Sequence, residues 1–206
     1  MSTTIHIGID FDNTIAGYDH VFCELAVEWK LVPEDFKGTK NQVREHILAH
    51  EYGMTEWQRL QGQVYGRQMT RAKLIDGVPS FLRSCRERDI PLSIISHKTK
   101  RAHFDPDVNL REAALRWMTE QGFFERGGFD FDRKDVHFAS TRTEKLGRIS
   151  SEQCSHFVDD LIEVFEHPSF PSHVKGYLLS DGQYSAVRKS LEICSTWREI
   201  SFAILG

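Results

Sequence analysis

Five short runs stand out as apolar at nearly every position: residues 5–10 (IHIGID), 91–96 (PLSIIS), 135–139 (DVHFA), 155–159 (SHFVD) and 174–179 (VKGYLL). Continuous rather than alternating apolar character marks strands buried on both faces, the habit of a parallel sheet covered by helices. Between these runs the apolar positions move to helical spacing. Residues 78–88 carry Phe81, Leu82 and Cys85 along one stripe, with Pro79 in the opening turn. Residues 110–121 give the clearest helical pattern, with Asn109 placed to cap its start and Gly122 to end it. Residues 161–166 predict a short helix. The alternation of strand and helix predicts an α/β domain, a doubly wound parallel sheet with right-handed crossovers.

One interval breaks the rhythm. From Gly17 to Ile75 no strand pattern appears, only amphipathic, aromatic-rich segments at residues 20–29, 40–51 and 55–70. We read residues 17–75 as a small α-helical insert after the first strand, and residues 1–16 and 76–206 as the core. Gly17 and the Asp76-Gly77 pair are the expected hinge points. Helical spacing brings Tyr65, Gln68 and Met69 together, with Arg67 and Arg71 on a neighbouring face. Burial preference assigns most of the aromatic rings, among them Trp29, Tyr52 and Trp57, to the insert's own core, and Arg67, Arg71 and Lys73 to a solvated face. Residues 98–108 and 123–134 are expected as loops. The last stretch, residues 180–206, holds Trp197, Ile200, Phe202 and Ile204 and predicts a helix packed on the sheet.

Composition narrows the class. A chain of 206 residues fits one domain, or one domain plus a small insert, and buries a core without covalent staples. Hydrophobic residues at 40% and charged residues at 27% match a globular protein and exclude disorder, collagen and coiled coil. The 26 basic and 30 acidic residues leave a net charge of −4, so no global field favours a nucleic acid polymer or a membrane surface as partner. Cys23, Cys85, Cys154 and Cys194 are scattered without a C-x-x-C pair, which argues against a disulfide framework or a zinc site and fits a reducing cytoplasmic setting. The opening MSTTIHIGIDF lacks a secretory pattern, and no run reaches bilayer-spanning length. No pattern specifies an oligomeric state.

Chemistry gathers at the ends of the predicted strands. The first strand closes in Asp10-Phe11-Asp12-Asn13-Thr14. Parallel α/β sheets bind ligands outside the carboxyl ends of their strands, and two carboxylates there repel unless a cation, a substrate or hydrogen bonds compensate. A solvated Asx-rich turn would explain this segment alone. The fourth strand ends in Asp159-Asp160, of which one helix cap accounts for only one. Two strand tips with paired carboxylates make a hard-oxygen cluster suited to Mg²⁺ and a substrate phosphate. The second strand ends at Ser96, followed by His97 and Lys98, where a hydroxyl and free backbone N–H groups suit a phosphate oxygen. Lys145, in the turn between the third strand and a short helix, can reach the same tip and offset carboxylate charge.

D-x-D-x-T after the first strand, a hydroxyl at the second, a lysine, then D-D after a later strand resembles the haloacid dehalogenase-like (HAD) superfamily, over residues 5–160. The helical insert lies where that superfamily carries its first-type cap. The resemblance implies that Asp10 is the nucleophile, forming an aspartyl-phosphate, and that Asp12 is the general acid and then the base. It implies that Thr14 braces the loop, that Ser96 holds the phosphoryl group, and that Lys145 neutralises charge, with Lys98 as its alternative. Thr14, Ser96, His97 and Lys98 are the candidate substrate contacts. Asp10, the Asp12 backbone carbonyl and Asp160 would ligate Mg²⁺, with Asp159 beside them orienting water or Lys145. The implied activity is Mg²⁺-dependent hydrolysis of a small-molecule phosphate monoester, because Asp12 supplies the proton that an alkoxide leaving group needs. Nucleotides and sugar phosphates are both admissible substrates, and transfer to an acceptor other than water stays open. Outside the superfamily, a receiver-like module that only accepts a phosphoryl group is the competing class.

Overall fold

The structure, a computed structural model, describes residues 5–182 and 190–206; residues 183–189, within the C-terminal stretch, lie outside the described residues. In chain order the elements of the first half are β1 (Ile7–Ile9), β2 (Ala16–Gly17), α1 (Asp19–Glu28), α2 (Lys40–Leu48), α3 (Gly53–Tyr65), β3 (Lys73–Leu74), α4 (Val78–Glu87) and β4 (Leu92–His97). The second half holds α5 (Leu110–Glu120), β5 (Val136–Ala139), α6 (Arg142–Ser151), β6 (His156–Asp159), α7 (Ile162–Glu166), β7 (Lys175–Leu179), β8 (Leu191–Cys194) and α8 (Trp197–Leu205). No helix among the described residues is long and apolar enough to cross a membrane.

The chain forms two compact units, one of residues 1–16, 74–98 and 121–206, the other of residues 17–73 and 99–120. The first is built on a six-stranded sheet in the order β5-β4-β1-β6-β7-β8. Every pairing in it is parallel, so the strand tips carrying the motifs emerge along one edge. The five anticipated strands are present, four of them trimmed by one to three residues and β4 shifted by one so that it ends at His97 rather than Ser96. The sixth, β8, is a strand that the pattern missed. It sits at the sheet edge, and Glu192 interrupts its apolar residues Leu191, Ile193 and Cys194, so it lacks the continuous apolar run of an interior strand.

One face of this sheet packs Ile95, Phe157 and Leu178 against Leu146 and Ile149 of α6 and Val164 and Phe165 of α7. Gly8 is required at the centre of the sheet, since a Cβ there would lie 2.7 Å from the Phe157 ring and 2.9 Å from Cys154 Sγ. Elsewhere in the unit α4 and α8 meet through Phe81 and Trp197, whose ring centroids are 4.9 Å apart. α8 is thus the expected C-terminal helix, with Trp197 and Ile200 buried and Phe202 left exposed.

The second unit is helical, and its aromatics mostly form its own core. Phe22 stacks on Trp57 at 5.2 Å, Tyr65 meets the edges of Tyr18 and Phe22, and Tyr52 alone of the large rings named above is exposed. Arg67 pairs with Asp105, and Arg71 with Glu24. α2 begins with a reciprocal capping box between Thr39 and Gln42. Two-residue strands β2 and β3, which the pattern did not anticipate, pair where the chain leaves the first unit and returns.

The sequence pattern assigns residues 99–120 to the core; the structure groups them with the helices of the second unit. The Trp117 indole N–H donates to Ala72 O at 3.0 Å, and a Cβ on Gly66 would lie 2.5 Å from Val108 Cγ1. An amphipathic stripe declares that α5 buries one face, but it does not name the surface that receives it.

Candidate active site

β1 stops at Ile9, and the N–H of Asp10 then donates to Val158 O at 2.9 Å, tying the residue to β6. The chain turns sharply after it. Ile15 N and Ala16 N both donate to Phe11 O at 3.0 Å, and Asn13 N donates to Ala16 O at 2.8 Å. The turn needs a left-handed residue, and Asn13 supplies it with φ 57°. Phe11 and Thr14 are buried by this turn, while Asp12 stays partly exposed. The Thr14 hydroxyl has no hydrogen-bond partner among the described residues. Its carbonyl accepts from the Trp197 indole N–H at 2.8 Å, so α8 braces the motif from 183 residues away. Sequence reasoning placed Trp197 only in the core, and no local signal connects the two.

Asp10, Asp159 and Asp160 each bring a carboxylate oxygen within 4.8 Å of the others. Lys145 stands between two of them: its Nζ is 2.5 Å from Asp10 Oδ1 and 2.6 Å from Asp159 Oδ2. Lys145 occupies the first turn of α6 rather than the turn preceding a short helix, which corrects the sequence expectation. The Thr141 side chain accepts from Glu144 N at 3.1 Å, and Glu144 in turn accepts from Ser140 N at 2.7 Å, so the helix starts upstream of the lysine. Asp159 is fully buried, with Oδ2 on Lys145 and Oδ1 accepting from Leu161 N at 3.0 Å. Asp160 is partly exposed.

Electrostatics follow from this geometry. Burial pushes the Asp10 carboxyl up to about 7; the Lys145 ammonium opposes the rise, while Asp159 and Asp12 add to it. For Lys145 burial alone would lower the ammonium, but the Asp10 and Asp159 carboxylates outweigh it and hold the group above the ordinary lysine range.

Sheet register sets the second strand. Ile9 pairs with Ile94, so Ser96 lies two positions farther along β4, buried at the strand end. Alternation turns the next residue away, and His97 is exposed with Nε2 3.1 Å from Ser140 O. Lys98 returns to the site. Its Nζ lies 2.8 Å from Asp12 Oδ2 and 3.0 Å from Oδ1. The structure therefore gathers Asp10, Asp159, Asp160 and Lys145 in one cluster and Lys98 with Asp12 in an adjoining pair, while the His97 ring goes to Ser140.

No protein-family model matches the chain, and no curated protein matches it in sequence. Solved structures do match. A haloacid dehalogenase-like family hydrolase from Streptococcus pneumoniae aligns with TM-score 0.64 and 12% identity over 100% of both chains. A HAD family hydrolase from Deinococcus radiodurans, with bound phosphate and sodium, aligns with TM-score 0.59 and 12% identity, over 99% of this chain and 96% of that one. A magnesium-bound HAD-hydrolase from Bacillus subtilis aligns with TM-score 0.57 and 12% identity over 98% of each. Identities this low carry the architecture and not the chemistry. The chain has the α/β fold of the haloacid dehalogenase-like hydrolases.

Proposed function

We propose that this protein is a Mg²⁺-dependent phosphatase that hydrolyses a small-molecule phosphate monoester through an aspartyl-phosphate. The observation that carries this reading is the convergence of Asp10, Asp159 and Asp160 within 4.8 Å, with Lys145 bridging the first two. Three carboxylates against one ammonium leave an excess of negative charge in a mostly buried cluster, and the donors are hard oxygens, so the residues fit a divalent cation such as Mg²⁺. Asp10 and Asp160 would hold it with the Asp12 backbone carbonyl, because both oxygens of Asp159 are already engaged. Bound there, Mg²⁺ supplies charge neutralisation for the phosphate oxygens.

Asp10 presents a carboxylate oxygen to phosphorus, the Asp10–phosphorus bond forms, and the bond to the ester oxygen breaks. Asp12 gives its proton to that departing oxygen, then takes a proton from the water that cleaves the aspartyl-phosphate. Lys145 neutralises Asp10 and stabilises charge on the transferring group, and Ser96 offers a hydroxyl to it. The Deinococcus structure with phosphate and the Bacillus structure with magnesium support this reading by fold likeness. In the chain the Asp10–Thr14 turn leads directly into the helical unit, the arrangement that favours a small ester over a phosphoprotein.

p-Nitrophenyl phosphate turnover tests the proposal. Wild type should hydrolyse it with Mg²⁺ and stop on chelation, and Asp10→Asn should lose at least about 10³-fold in kcat, the scale of a lost nucleophile. Turnover that survives both chelation and Asp10→Asn would defeat the reading.

A further inference from the structure

We infer that Lys98 is a positioning residue for Asp12, fixing the plane of the carboxyl group that delivers the proton to the leaving group. This rests on the proposed phosphatase reading and concerns a residue outside its nucleophile and metal cluster.

Lys98 is held in place from several sides. Its side chain is 2% exposed, its backbone N–H donates to Ala139 O at 2.9 Å, and its ammonium lies 5.6 Å from the centre of the Phe11 ring. From that fixed origin the ammonium reaches both oxygens of Asp12, at 2.8 and 3.0 Å. A carboxylate turns easily about its last bond, since such torsions have broad wells. An ammonium that engages both oxygens removes this freedom and leaves each oxygen a second lone pair, on one of which the deliverable proton sits.

The backbone of Asp12 is fixed as well, because it bridges to Ala16 across the Asn13 turn. Only the side-chain torsions of Asp12 remain adjustable, and Lys98 acts on those. The other buried lysine of the site cannot substitute, because Lys145 is committed to Asp10 and Asp159. Proton delivery depends steeply on placement, so a misoriented Asp12 slows the bond-breaking step without disturbing the attack of Asp10.

The leaving group separates this role from others. p-Nitrophenolate departs without a proton, whereas an alkoxide requires one. The test measures kcat/KM, which covers steps through departure of the alcohol, for p-nitrophenyl phosphate and for 2-(4-nitrophenyl)ethyl phosphate, an alkyl ester carrying the same ring. We expect Lys98→Met to lower kcat/KM about 10- to 100-fold for the alkyl ester and less than about threefold for the aryl ester, part of the roughly 10²- to 10⁴-fold supplied by general acids. In an Asp12→Asn background, Lys98→Met should change the alkyl-to-aryl ratio by less than about twofold, because the group it orients is gone. That double variant removes both charges together and so avoids a buried unpaired one.

Equal losses on both esters, as a direct phosphate contact or a collapsed loop would give, overturn the inference while leaving the phosphatase reading intact. A further alkyl-specific loss in the Asp12→Asn background also overturns it. Absence of Asp10-dependent turnover of either ester overturns the phosphatase reading and the inference with it.

Discussion

Lys145 and Lys98 are equally buried, each with a side chain 2% exposed, yet they carry different loads. Lys145 answers two carboxylates, Asp10 and Asp159, whose side chains are 6% and 0% exposed, so the three are almost wholly removed from water. Lys98 answers one, Asp12, which is 16% exposed and keeps some solvent. Position on the fold explains the contrast. Lys145 enters from the first turn of α6 and meets residues at the tips of β1 and β6, whereas Lys98 follows β4 and meets Asp12 in the turn after β1. A buried ammonium between two carboxylates is a structural requirement as well as a chemical one; one paired with a single, slightly solvated carboxylate is free to act chiefly on orientation.

The sharpest way to break this comparison is to remove each ammonium in turn. Lys145→Met strands Asp10 and Asp159 without a counter-charge and should cost about 3–5 kcal/mol, read as a fall in the urea midpoint in chelator. A smaller effect comes from pH. The Asp10 carboxyl, raised from 3.8 to about 7 chiefly by burial, binds more protons in the folded state than in the unfolded one across that window. The stability it contributes is full below the unfolded value and is lost as pH rises through 7. Without metal, the urea midpoint of wild type should therefore fall relative to Asp10→Asn between about pH 5 and about pH 8, whereas a lowered carboxyl would leave the difference flat over that range. Lys98→Met should have the smallest effect on stability, about 1–3 kcal/mol, because Asp12 can recover water. A loss equal to that of Lys145→Met would erase the distinction drawn between the two lysines.

Interior strands of this fold were easy to read, and of the two edge strands only β5 was. β1, β4, β6 and β7 announce themselves through runs apolar on both faces, but in β8 the charged Glu192 interrupts the apolar residues and the short run resembles loop. Asp10, Asp12, Ser96 and Asp159-Asp160 were legible because each follows directly on such a run, where a parallel sheet collects its chemistry. Lys98 was visible only as a neighbour of Ser96, since lysines are ordinarily solvated and nothing local marks one that is buried. The Trp197 bond to Thr14 was invisible for a related reason: it joins chain segments 183 residues apart.

What the order of residues determined unaided is the periodicity of each element and the identity of the side chains at the strand tips, because both depend on neighbours in the chain. Which lysine would meet which carboxylate, which helices would receive residues 99–120, and which side chain would leave the site at His97 depended on strand order, register and helix start. Those are set by packing between distant segments, where the free energy of burial is shared among many contacts and no single stretch of sequence records it.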